Sequence, residues 1–409
     1  MARKEKTITG IDVGSINVKV VMAQEGEGDK FQVIGGALSP SAGVSKGVIS
    51  SIEDAVSSIS GCLEKVERMT GMAAGHAYVG ISGSDIISQE TQGVVAVAKA
   101  DNEIREDDVE RALGAAQTVA TPPNYEVIHV IPRFFKVDSQ EMIKDPVGMT
   151  GVRLEVEAQM IEGPAAQIKN LTKCVYRTGV DIDDLVFGVL ATAEAVLGPR
   201  QKELGVAVVN IGGATTSVAV FEEGDVLTAK VLPVGANHIT NDIAIGLRTS
   251  IELAEQVKLD HGMLLSKDAK AKDEINLAEI DGEEEGSISK KELYMVIEAR
   301  VEEIFSMVDE VLKDINRSGK LPSGVVLTGG GAMMPGMVDM AKKVFRLPAS
   351  LGYPKNISTV IDKVNDLDFS TAVGLVLWGR QLQHVEGGGR LSGGSLFKRV
   401  KDMVKRLKP

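Results

Sequence analysis

Apolar and polar positions alternate through the first forty residues. TITGIDVG at 7–14 and NVKVVMA at 17–23 are β-branched runs around a Gly-Ser turn, and FQVIGGA follows at 31–37, so the chain opens on a hairpin and a third strand. The period then lengthens: Ile52, Val56, Ile59, Leu63 and Val66 recur at three and four, which predicts a helix over 50–70, and HAYVGIS at 76–82 returns to strand. A second block repeats this order from Gly205. VAVVNIGG, TTSVAVF and DVLTAKVL are three strands with a Gly-rich first turn, followed by a helical stretch at 237–247. Laying Asp12 on Asn210 puts Gly14 on Gly212, so the chain reads as two related halves.

Two inserts interrupt them. Residues 83 to about 165 carry the strands GVVAVA, EVIHVIPRFFKV and RLEVEAQMI and one helix, REDDVERALGAAQTV, whose acidic opening suits a helix N-terminus. Residues 237 to about 297 hold an acidic loop at Glu279, Asp281, Glu283, Glu284 and Glu285, read as a solvated turn. A helix at 289–316 then leads to the strand GVVLTGGG at 324–331. The fold class is α/β, in two lobes.

Composition narrows the function classes. At 409 residues, 44% apolar and 25% charged, the chain is globular and long enough for two to four domains. A net charge of −12 and 4% aromatic residues argue against nucleic-acid binding, which needs clustered cations or stacking platforms. Cys62 and Cys174 stand apart from any ligand spacing and are read as reduced, buried thiols of a cytosolic protein. The histidines, His129 and His238 among them, show no ligand spacing either and are read as packing or surface groups. No apolar run approaches the ~18 residues of a spanning helix, and Met1 to Lys6 lead directly into a strand, so the expectation is a protein neither secreted nor integral to a membrane.

The candidate chemistry lies in three Gly-rich turns, each after a strand: Asp12-Val13-Gly14-Ser15, Asn210-Ile211-Gly212-Gly213 and Gly329-Gly330-Gly331. Such turns offer backbone N–H groups to an anion and let phosphate oxygens approach without a Cβ in the way. Two facing hairpins would grip phosphates from both lobes, and the third turn would close over base and ribose. Asp12 then sits where a largely water-bound Mg²⁺ needs a carboxylate, and Lys19 reaches phosphate oxygens as a point charge. Each has a plainer reading, Asp12 as a turn cap and Lys19 as a strand-surface lysine. The duplicated hairpin favours the nucleotide.

D-x-G-S-x-x-V-K at 12–19, N-I-G-G-A-T-T at 210–216 and T-G-G-G-A at 328–332 resemble the two phosphate motifs and the adenosine motif of the actin, heat-shock chaperone and sugar kinase superfamily. Within it, GISGSDIISQETQGVVAV, VIHVIPRFFKVD, IKDPVGMTGVRLEVE, GANHITNDIAIGLRTSIELAEQVKLDHG and IEARVEEIF resemble the FtsA family of bacterial cell-division proteins over nearly the whole chain. The resemblance implies an actin-like two-lobed fold with a duplicated, ribonuclease H-like core. Subdomain 1A would comprise 1–82, 166–192 and 345–385, and 1C, an SHS2-like insert, 83–165. Subdomain 2A would take 193–236 and 298–344, and 2B 237–297. It implies ATP and Mg²⁺ as cofactors. Gly14, Ser15, Lys19, Gly212, Gly213, Thr215 and Thr216 would meet phosphates, Gly329, Gly330 and Gly331 the adenosine, and Glu255 and Lys258 the ribose and base. The Glu-x-x-Lys pair reads equally well as a helix-surface ion pair.

The chain departs from the superfamily at Asn210, where an Asp is usual, and at Ala214 and Ser217. An amide carries no charge to order Mg²⁺ and a water. Asp12, Asn210 and Glu194 are the catalytic candidates, with Thr192 the other polar group in GVLATAEAVL, and none is compelling. The expectation is ATP binding with slow or absent hydrolysis.

Beyond the body, residues 386–394 form a Gly-rich linker, and 395–409 have helical amphipathicity. Leu396, Phe397, Val400, Met403, Val404 and Leu407 cover an arc of roughly 120°. Lys398, Arg399, Lys401, Lys405, Arg406 and Lys408 share the rest with Asp402. An interfacial helix on anionic lipid fits this pattern; docking onto the chain's own acidic body is the other reading. With the family resemblance, the expected role is an ATP-clamped protein that polymerises head to tail on the cytoplasmic face of the membrane at the division site. It would hold the C-terminal peptide of FtsZ on 2B, with Arg300 as a contact, among other division partners. A metabolite kinase of the same superfamily and a pilus-assembly platform protein are the alternatives.

Overall fold

The fold is that of a computed structural model describing residues 7–25, 31–98, 101–118, 121–264, 273–280, 286–355, 357–359 and 361–386. Residues 387–394 of the linker and the amphipathic segment at 395–409 lie outside the described residues, as do Asp281 to Glu285 of the acidic loop.

The first half starts with β1 (Thr7–Val13), β2 (Asn17–Glu25) and β3 (Phe31–Pro40), an antiparallel meander. A small hairpin, β4 (Val44–Ser45) with β5 (Val48–Ile49), leads to α1 (Ile52–Thr70). Ser51 opens that helix by accepting the Asp54 N–H, and Gly71 closes it at φ 69°, in the left-handed region where glycine pays no Cβ penalty. Strand β6 (His76–Ile81) then runs parallel to β1.

The insert follows as β7 (Ile87–Ala96), α2 (Glu106–Gln117), β8 (Tyr125–Val137), β9 (Gln140–Ile143) and β10 (Arg153–Pro164), in sheet order β7-β10-β8-β9. Helix α3 (Ala165–Arg177), strand β11 (Asp181–Phe187) and α4 (Gly188–Val196) complete the half.

The second half repeats the order. After α5 (Pro199–Leu204) come β12 (Val206–Ile211), β13 (Thr216–Glu222) and β14 (Asp225–Leu232), then α6 (Ala236–Leu247) and α7 (Ile251–His261). A hairpin, β15 (Glu274–Asn276) with β16 (Ser287–Ser289), precedes α8 (Lys290–Asp314), β17 (Val325–Thr328), α9 (Met337–Phe345) and β18 (Ala349–Leu351). Strand β19 (Ser358–Thr359) rejoins the first sheet, and α10 (Ser370–Glu386) ends the described chain.

The two large sheets, β11-β6-β1-β2-β3-β19 and β14-β13-β12-β17-β18, share one topology: three antiparallel strands followed by two parallel ones. This repeat corrects one boundary. Residues 345–351 do not return to the first lobe, because β18 pairs with β17 from Val325↔Ala349 to Leu327↔Leu351 as the counterpart of β11. The crossing back comes after it.

The halves join at α4 and α10, the helices that follow the last parallel strand of each sheet. They cross so closely that a Cβ on Gly374 would lie 1.8 Å from the Ala191 carbonyl oxygen. Gly374→Ala is therefore expected to force the helices apart and cost about 2 kcal/mol, as overpacking does, seen as a lower urea midpoint with unchanged m-value.

The insert touches both lobes. On β8, His129 Nε2 accepts the Phe187 N–H at 2.9 Å, and its ring lies 5.4 Å from that of Trp378 on α10. On the other side Lys144 pairs with Asp225 at the start of β14. Cys62 and Cys174 are buried free thiols, with pKa values raised by burial.

Candidate functional site

The strand registers make the two hairpins copies of each other. Asp12 faces Lys19 across β1 and β2, and Asn210 faces Ser217 across β12 and β13. Each turn is closed the same way, by Gly14 N–H to Asn17 O at 3.1 Å and by Gly212 N–H to Thr215 O at 2.9 Å. Those two amides are therefore occupied. An anion must be met by the groups that follow, Ser15 and Ile16 in one turn and Gly213 to Thr215 in the other, all of which line the cleft.

The hairpin tips meet. A Cβ on Gly213 would lie 2.2 Å from Ile16 Cγ1, so the second turn needs glycine for the lobes to approach. Beneath them opens a cavity of ≈ 550 Å³ lined from both lobes. The third turn enters from β17: Gly329 has φ 86°, and a Cβ there would lie 2.3 Å from Asn210 Oδ1, so backbone conformation and crowding both exclude a side chain.

Electrostatics set the floor. Burial pushes the Asp12 carboxyl above its ordinary pKa of 3.8, Lys19 pulls it down in part, and Asp368 pushes it up again. Lys19 Nζ lies 3.7 Å from Asp368 Oδ2 and is mostly buried. Next to them Asn210 Nδ2 donates to Thr371 Oγ1 at 3.1 Å and to Thr192 Oγ1 at 3.3 Å, and these two hydroxyls bond each other at 2.9 Å. In the usual superfamily position of a carboxylate, this chain has an amide satisfied by two buried hydroxyls. At the far end Lys258 Nζ, almost fully buried, bonds Glu255 Oε2 at 2.6 Å and Thr240 Oγ1 at 2.8 Å, while its residue still lines the cavity. The Glu-x-x-Lys pair is thus an ion pair set into the cavity wall rather than on an open helix surface.

Most of the expected residues converge here: Asp12, Gly14, Ser15, Lys19, Asn210, Gly212, Gly213, Thr215, Glu255, Lys258 and Gly329 to Gly331 all line the cavity. Two do not. Thr216 turns away, its hydroxyl donating to Val234 O at 2.8 Å because alternate strand residues face opposite sides. Glu194 sits on the outer side of α4, bonded to Lys202 at 2.6 Å and Gln381 at 2.9 Å, too engaged and too remote to orient a water. Arg300 forks onto Asp242 and bonds Glu303 at 2.7 Å, clamping α8 to α6.

Asp368, Thr371, Leu259, Met333 and Met334 also line the cavity and escape sequence reasoning. They carry no local motif, and only the return of the chain before α10 brings Asp368 to Lys19.

The residues fit a nucleotide with a divalent cation. The charged lining groups are Asp12, Glu255 and Asp368 against Lys19 and Lys258, leaving one net negative charge that would repel a bare triphosphate. Among the described residues no three His, Cys, Asp or Glu side chains form a metal cage. A divalent ion bound largely through water needs only one or two carboxylates, and Asp12 and Asp368 stand on the cleft lining.

Comparison with known proteins places the chain by family and by fold. A family model described as "Cell division protein FtsA" matches residues 207–374, and one described as "SHS2 domain inserted in FTSA" matches 83–162. The cell division protein FtsA of Pseudomonas aeruginosa is 36% identical over 390 residues, covering 95% of this chain and 93% of that protein. The chain belongs to the FtsA family of cell-division proteins. FtsA of Bacillus subtilis is 38% identical over 377 residues, 92% of this chain and 84% of that protein.

Solved structures carry the same fold at low identity. A chain of the PilM-PilN type IV pilus biogenesis complex superposes with TM-score 0.65 at 14% identity, covering 91% of this chain and 98% of that one. MreB5 of Spiroplasma citri bound to ADP has TM-score 0.56 at 15%, covering 94% and 99%. The actin-like architecture is thus shared with proteins outside the FtsA family, whereas identities of 36% and 38% over nearly the whole chain are found with FtsA proteins. No helix among the described residues is long and apolar enough to cross a membrane.

Proposed function

We propose that this FtsA-family protein binds ATP with Mg²⁺ between its lobes, assembles head to tail, and ties the FtsZ ring to the cytoplasmic face of the membrane at the division site. The observation that carries the reading is the pair of glycine turns of matching register and closure meeting tip to tip over Asp12, Lys19 and Asn210. Mg²⁺ would be held by Asp12 through water and by phosphate oxygens. It would neutralise charge that the cleft itself leaves uncompensated. Ser15 and Thr215 offer hydroxyls to phosphates, Lys19 an ammonium, and the apolar Leu259, Met333 and Met334 a slot for a base.

Hydrolysis would be slow or absent. The Asn210 amide is engaged with Thr192 and Thr371, and an amide cannot take a proton from water. The C-terminal peptide of FtsZ and the other division partners are assigned from the family. Arg300 would need to exchange Asp242 for such a peptide.

Membrane attachment is assigned to residues 395–409, with six basic residues against one acidic. Removing these residues is expected to abolish co-sedimentation with vesicles containing anionic phosphatidylglycerol, while Mg·ATP affinity stays at the full-length value. Undiminished sedimentation of the truncated chain would overturn the anchor.

A further inference from the structure

Gln167 stands in the first turn of α3, directly after β10 brings the insert back to the first lobe. Its side chain runs under the cleft wall. Nε2 donates to Ser82 O at 2.8 Å and to Gly47 O at 3.4 Å, and both residues line the nucleotide cavity. Gly47 in turn donates its N–H to Ser15 Oγ at 2.9 Å, the hydroxyl of the first phosphate turn.

The slot is built for this amide. The Gly83 backbone passes so near that a Cβ would lie 2.3 Å from Gln167 Nε2, and Gly47 has φ 79° with the Ser82 carbonyl 2.8 Å from where its Cβ would be. Gln167 is 6% exposed, and its Oε1 is buried with no hydrogen-bond partner among the described residues. An unmatched buried acceptor is a cost that an apolar side chain of the same length would avoid, so retaining the amide points to a use for its donor end.

We propose that Gln167 is a positioning residue for the first phosphate turn. By holding the Gly47 and Ser82 carbonyls it keeps the Gly47 N–H on Ser15 Oγ. A hydroxyl that accepts one bond still has its own proton to donate. With its oxygen engaged by Gly47, Ser15 is turned to give that proton to a phosphate oxygen. The same side chain fastens the cleft to the root of the insert, so the seating of phosphate and the seating of β10 share one fixing point.

The inference rests on the nucleotide reading of the cleft, and the test separates the two. Affinities for Mg·ATP and for adenosine are measured by calorimetry on the full chain and on Gln167→Met, Ser15→Ala and the double variant. Gln167→Met keeps the length and removes the donor; Gln167→Leu, which also has no donor, serves if the thioether does not fold. The expected result is Mg·ATP affinity lowered about 5-fold, the worth of one neutral hydrogen bond, with adenosine affinity unchanged. The double variant should be no weaker than Ser15→Ala alone, as for residues acting through one contact.

Wild-type Mg·ATP affinity in Gln167→Met, an equal loss for adenosine, or full additivity with Ser15→Ala would each overturn the positioning role while leaving the nucleotide reading intact. A wild-type chain that bound no Mg·ATP would remove that reading and this role with it.

Discussion

Lys19→Met is expected to weaken Mg·ATP binding on the order of 100-fold, about 3 kcal/mol, the upper range for a hydrogen bond to a charged group. Lys19 is the ammonium set beside Asp12 by the β1–β2 register, and among the described residues its ion pair is a long one, 3.7 Å to Asp368. It can therefore be transferred to a phosphate at little cost. The other ammonium of the cleft, Lys258, is bound to Glu255 and Thr240 and is not available in its place. Lys19→Arg is not expected to restore binding, because a planar fork does not fit where a mostly buried point charge sat. Calorimetric titration with Mg·ATP reads the effect, and a loss smaller than about tenfold would place the phosphates elsewhere.

The same substitution has a consequence without nucleotide. Burial already raises the Asp12 pKa above 3.8, and Lys19 opposes that rise. Without Lys19 the folded protein holds the Asp12 proton more tightly still, whereas the unfolded chain does not. Stability of the nucleotide-free variant should therefore increase as pH falls from neutral toward the unfolded value, and decrease as pH rises through the folded one.

The second large effect is an acid-side loss of stability from His129. Burial lowers its pKa from 6.5 to about 4, only partly offset by Asp184, so the imidazole is neutral at pH 7 and Nε2 accepts the Phe187 N–H. Protonation places a charge in the junction and turns that acceptor into a donor facing a donor. Since the folded pKa lies below the unfolded one, the stabilisation is complete above pH 6.5 and is lost as pH falls toward 4. The loss amounts to about 2 kcal/mol at pH 5 and 3 kcal/mol at pH 4.

His129→Gln keeps an acceptor for Phe187 without the titration. The stability difference between wild type and His129→Gln should shrink by this amount between pH 7 and pH 4, measured by urea midpoints at each pH. Trp378 is the single tryptophan, and its ring lies 5.4 Å from His129, so its fluorescence reports the same event. A constant difference across that range would mean that the imidazole is not buried neutral at the junction of insert and lobe.

Sequence carried the elements and most of the site because both are written in short-range pattern. Alternation marks β1 to β3 and β12 to β14, and a three-four period marks α1. A spacing of seven, from Asp12 to Lys19 and from Asn210 to Ser217, is what two strands joined by a tight turn require for those residues to face each other. The tail's charge and apolar stripe are equally local, so its chemistry is readable wherever it lies.

Orientation and distant return were not readable. Thr215 and Thr216 are equivalent by composition, and only the strand's pleat decides that the first faces the cleft and the second is spent on Val234 O. Glu194 is a weak catalytic candidate in sequence, and α4 turns it outward to Lys202 and Gln381. Asp368 reaches Lys19, and Thr371 reaches Asn210, only because α4 and α10 cross at Gly374 and fold the two halves onto one seam. Period and spacing act over a few residues, whereas the charge balance of the cleft is summed over side chains hundreds of positions apart. For this protein the sequence alone determined the duplicated strand order, the glycine turns and the family; tertiary packing decided which side chains those turns enclose.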